Sequence, residues 1–68
     1  MTLDHCLHTA VAWRRTGRAE FPYAASVDGR DWLLRVNDFP AEAFYTLLVA
    51  GREVGDFDDW PALWRRPG

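Results

Sequence analysis

Asp28-Gly29 sits between two stretches whose apolar residues recur at every second position: Phe21, Tyr23, Ala25 and Val27 before it, and Trp32, Leu34 and Val36 after it. A period of two places each set on one face of a strand, and Asp-Gly accepts the positive φ values that a two-residue hairpin turn demands. The chain is therefore expected to contain an antiparallel hairpin with strands over about 21–27 and 31–37. Pro22, near the start of the first strand, lacks an N–H and marks it as an edge. A third strand is expected over 44–50; it is apolar on both faces and so belongs between two neighbours. Gly51-Arg52 then turns the chain into a fourth strand over 53–57, weakened at Gly55. The stretch Asn37-Asp38-Phe39-Pro40-Ala41-Glu42 is rich in turn formers and predicts the longest loop within the sheet.

The N-terminal segment carries a different period. Leu3, Cys6, Leu7, Ala10 and Trp13 fall on one stripe at 100° per residue, with Thr2 as N-cap, Arg14 and Arg15 in the last turn and Gly17 just beyond. This predicts an amphipathic helix over about 3–16. At the other end, Asp59-Trp60-Pro61 resembles a helix start with proline in the first turn, giving a short helical turn over about 61–66. The expected fold class is thus α+β: an N-terminal amphipathic helix packed on a four-stranded antiparallel β-meander, closed by a short C-terminal helical turn.

With 68 residues there is room for a single domain that buries only about 60% of its unfolded surface. Cys6 is the sole cysteine, so no disulfide can form within one chain; ten aromatic residues, four of them tryptophan, are the means of compensation. A lone cysteine and an N-terminal stretch interrupted by Asp4, His5 and His8 suit a reducing cytoplasm with no leader peptide. No apolar run approaches the length of a membrane span. All eight basic residues are arginine, the codon signature of a GC-rich, bacterial type of genome, and the net charge is −2.

Few residues are arranged for chemistry. Asp4, His5 and His8 share the polar side of the predicted helix, but a zinc site needs three or four ligands and no second cluster completes one. Cys6 and Ser26 lack a positioned base. Asp56, Asp58 and Asp59 lack the glycine and distal glutamate of a calcium loop and read as capping and solubilising groups. No enzymatic activity, cofactor or metal is expected.

What remains is surface. One helix covers one sheet face, and the other face would carry Leu33, Arg35 and one set from the third strand, either Phe44, Thr46 and Leu48 or Tyr45, Leu47 and Val49. Both sets are mostly apolar, so hydrophobic surface is left over in either register. The expected function is a noncatalytic protein-interaction module, binding a protein partner or a second copy through Leu33, Arg35, Trp60, Trp64 and Arg65, since Trp and Arg are enriched at interface hot spots. The alternative is a protein that binds single-stranded nucleic acid through Trp13, Arg14, Arg15, Arg18 and Arg66, a reading opposed by the net negative charge. A small acidic antitoxin-like or immunity-like protein is a third possibility, by analogy of size and charge alone.

Overall fold

The computed structural model describes residues 2–67 and is built mostly of strands. In chain order these are α1 (Leu3–Leu7), β1 (Val11–Ala12), β2 (Arg14–Arg15), β3 (Tyr23–Val27), β4 (Arg30–Val36), β5 (Tyr45–Val49), β6 (Arg52–Phe57) and β7 (Trp64–Arg65). Strands β2-β3-β4-β5-β6 form one antiparallel sheet in that order, and β1 pairs with β7 in a separate parallel ribbon. Among the described residues no helix is long and apolar enough to cross a membrane.

The Asp28-Gly29 hairpin is present. Asp28 at φ 50° and Gly29 at φ 76° link the paired residues Val27 and Arg30, the doubly left-handed turn whose twist matches that of its strands. Ala50 at φ 52° and Gly51 at φ 79° do the same between Val49 and Arg52. This second turn lies one residue earlier than Gly51-Arg52.

The fold class differs from the α+β expectation. The helix predicted over 3–16 shrinks to the five residues of α1, capped by Thr2, whose Oγ1 accepts from the His5 N–H at 3.2 Å. Beyond it the chain is extended, with Val11 and Trp13 buried and Ala12 and Arg14 exposed. The same residues satisfy both periods. A lone helix of about fourteen residues is marginal, and Val and Trp favour strands. Extension also lets the Val11 N–H donate to Leu63 O at 3.4 Å and the Trp13 N–H to Arg65 O at 3.2 Å. The helical turn over 61–66 is likewise replaced. One turn closes with Trp64 N–H donating to Pro61 O at 3.1 Å, and then β7 runs parallel to β1, aligning Val11 with Trp64. The sheet consequently has five strands, not four. Pro22 does not mark an edge, because β2 lies outside β3, with the Thr16 N–H donating to Pro22 O at 3.1 Å.

The core fills the sheet face that carries Ala25, Trp32, Leu34, Tyr45, Leu47 and Val49, against Cys6, Val11, Trp13 and Trp64. All four tryptophans meet there. Trp13 lies 5.0 Å from Trp64 and 6.3 Å from Trp32 between ring centroids, and Trp60 lies 5.7 Å from Trp64 at nearly a right angle. Aromatic bulk thus takes the place of the missing helix. Trp64 Nε1 donates to Cys6 O at 3.1 Å and Trp60 Nε1 to Trp64 O at 2.9 Å. Trp13 and Trp32 bury their N–H groups without an acceptor among the described residues, at a cost of about 1–3 kcal/mol each. Gly55 weakens β6 for a reason: a Cβ there would come within 2.9 Å of Leu3 Cδ2, the side chain by which α1 rests on the strand.

Cys6 is fully buried, and burial pushes its thiol up from the ordinary value. Thiol reagents are expected to leave the native protein unmodified at neutral pH and to label it only on unfolding; labelling at the rate of a free thiol would contradict the burial. The linkage has a definite sign. Above about pH 8.5 the unfolded chain ionises this thiol while the folded chain keeps its proton, so stability falls as pH rises.

Candidate functional site

The register of β5 settles which residues face away from the core. Tyr45, Leu47 and Val49 point inward, so Thr46 and Leu48 share the open face with Leu33 and Arg35. No element of the described chain packs over this face.

It is not a bare hydrophobic surface. Thr46 is only 1% exposed although nothing overlies the strand, because the side chains of its neighbours close over it. Its Oγ1 accepts from Asn37 Nδ2 at 2.7 Å and from Arg35 Nη2 at 3.4 Å, and donates to Asp56 Oδ1 at 2.7 Å. Arg35 Nε donates to Asn37 Oδ1 at 3.0 Å, and its Nη2 lies 3.9 Å from Glu53 Oε1. Asn37 Nδ2 also donates to Ala43 O at 3.0 Å, tying the network to the β4–β5 loop. No buried side-chain nitrogen or oxygen of this network lacks a partner, so the face is stable in water as it stands.

Beside the network runs a row across all five strands. Successive cross-strand partners are Arg14, Ala24, Leu33, Leu48 and Glu53. A cation stands at one edge and a carboxylate at the other, with apolar residues between. At the loop end Phe39 and Phe44 lie 5.6 Å apart and are both exposed, Phe39 at 57%. Asp58 fixes that end, its Oδ1 accepting from the Phe44 N–H at 3.0 Å.

The structure divides the residues expected to form one interface. Leu33 and Arg35 are half-buried on the open face, whereas Trp60 and Trp64 pack against the opposite face. Trp64 is 3% exposed and belongs to the core; Arg65 is exposed beside it on β7. The nucleic-acid set divides too. Trp13 is 4% exposed and has no face left for a base. Arg14 points to the open face with Ala24, while Arg15 lies over Tyr23 with its Cζ 6.0 Å from the ring centroid. Arg18 stacks on Phe21 at 5.3 Å and Arg66 on Trp60 at 4.6 Å. His5 and His8 are exposed, and among the described residues no group of three or more His, Cys, Asp or Glu side chains is placed to hold a metal ion. Asn37, Thr46, Glu53 and Asp56 escape a reading by residue type, since only the pairing of β4, β5 and β6 brings them together.

No protein-family model matches this chain, and no curated protein or solved structure matches it significantly.

Proposed function

We propose that the protein is a noncatalytic interaction module whose open sheet face docks on the same face of a second copy. The row from Arg14 to Glu53 carries this reading. A two-fold axis along β4 sets Arg14 of one copy opposite Glu53 of the other, Ala24 opposite Leu48, and Leu33 against its own counterpart. Charge and size are complementary at once, small residue against large and cation against anion. Five strands about 4.8 Å apart and about five residues long give a footprint of roughly 400 Å² per copy. That is about half of a standard interface, so the association is weak, sensitive to salt and reversible.

Sedimentation velocity from about 10 μM to about 1 mM tests it. The wild-type coefficient is expected to rise with concentration, and Leu33→Asp to hold the protein monomeric. Arg14→Glu and Glu53→Arg are each expected to abolish association, and the double variant to restore it, because the swapped charges again face one another. A wild-type monomer at about 1 mM in low salt overturns the reading.

A further inference from the structure

Five of the eight arginines, Arg14, Arg15, Arg18, Arg65 and Arg66, lie in two segments far apart in sequence. The parallel pairing of β1 with β7 aligns Ala12 with Arg65, so the two segments leave that pair side by side and in the same direction. None of the five forms an ion pair among the described residues, where the only such contacts are His8 with Asp4 and Arg35 with Glu53. Instead three of them, Arg15, Arg18 and Arg66, lie against aromatic rings. Arg15 sits 6.0 Å from the Tyr23 centroid, Tyr23 meets Trp60 edge-on at 5.7 Å, and Arg66 sits 4.6 Å from Trp60. The result is a strip that alternates guanidinium, phenol, indole and guanidinium, with both arginines exposed and both rings half-buried.

We propose that this strip binds single-stranded nucleic acid, with phosphates held by Arg15 and Arg66 and a base stacked on Trp60. An exposed guanidinium on an aromatic face is a weaker contact than a base stacked on the same face. A base therefore displaces Arg66 from Trp60, and the freed guanidinium meets the adjacent phosphate. Unstacked bases are required, which selects a single strand over a duplex. The net charge of −2 works against this binding, and Asp59 borders Trp60 in the groove it shares with Leu7 and Pro61, whereas Glu53 and Asp56 lie farther off, on β6 at the opposite edge of the sheet from β2. The strip is on the other side of the sheet from Leu33 and Leu48, so the proposal stands independently of self-association.

Fluorescence anisotropy of a labelled oligothymidylate against the full chain tests it, with indole emission recorded in parallel. Binding is expected at about 50 mM salt, with a log–log salt slope of about −1.4 for two phosphate contacts to a single strand. Indole fluorescence is expected to be quenched on binding. The double variant Arg15→Gln, Arg66→Gln is expected to weaken binding at least about tenfold, by the loss of two charge contacts. Arg30→Gln, Arg52→Gln removes the same charge at the hairpin-turn end of the sheet and is expected to leave binding unchanged. Both doubles replace exposed side chains, and a thermal melt confirms that each is folded. Absence of binding at low salt overturns the proposal, as does an equal loss in both doubles. Equal affinity for a poly-glutamate peptide also overturns it, since that marks an acidic protein surface as the ligand.

Discussion

Trp64→Ala is expected to lower the melting temperature by more than about 10 °C. Trp64 packs on Trp13, Trp32, Phe57 and Trp60, and its indole N–H donates to the carbonyl of Cys6, fastening the C-terminal segment to α1. Replacing a buried tryptophan by alanine costs about 3–5 kcal/mol. A domain of this size has about 3–10 kcal/mol in total, so the loss takes a third or more of the stability and, toward the lower end of that range, all of it. Trp64→Phe keeps an aromatic ring in place and removes one hydrogen bond to the Cys6 carbonyl, which still accepts from the Thr9 N–H at 3.2 Å, and is expected to cost about 0.5–1.5 kcal/mol for the lost bond. Circular dichroism melts read both variants. A cooperative transition in Trp64→Ala within about 5 °C of the wild type would show that the tryptophan cluster is not what holds the C-terminal segment.

Leu47→Ala and Leu48→Ala, one position apart, are expected to differ several-fold in cost. Leu47 is fully buried on the core face, and its truncation costs about 2–5 kcal/mol including the cavity. Leu48 is half-buried on the open face beside Leu33, where loss of exposed apolar area costs about 1 kcal/mol or less. Urea denaturation separates the two. Equal costs would mean that β5 does not hold the register in which Tyr45, Leu47 and Val49 face inward. The experiment bears on function as well, because that register decides which residues reach the open face.

Both predictions concern features that residue types alone leave open. Phe44 to Val49 alternates apolar residues on both faces, so either set suits the core. The choice falls to the partners: Thr46 is acceptable on the outer face because Asn37, Arg35 and Asp56 satisfy its hydroxyl. On the inner face the same hydroxyl would lie among tryptophans. The candidate site was legible in part. Leu33 and Arg35 were identified from the face of β4 they occupy, whereas Asn37, Thr46, Glu53 and Asp56 come from four separate positions whose meeting depends on strand pairing. Trp60 and Trp64 have the composition of an interface and the environment of a core, a difference that only burial distinguishes.

Local chemistry determined the centre of the sheet. Asp28-Gly29 has one comfortable conformation between alternating strands, and β3, β4, β5 and β6 follow as antiparallel neighbours through short turns. The two ends of the chain were decided by tertiary structure. Residues 3–16 fit a helix by their 3.6 period, yet Val11, Ala12, Trp13 and Arg14 also alternate. A helix would satisfy its own hydrogen bonds, whereas the extended form needs a partner more than fifty residues away, and β7 supplies it. Once Trp64 aligns with Val11, Trp13 enters the tryptophan cluster and the strand is favoured over the helix. The physical reason is one of range: turn residues select their conformation from their own backbone, while a segment that suits two periods is resolved only by what packs against it.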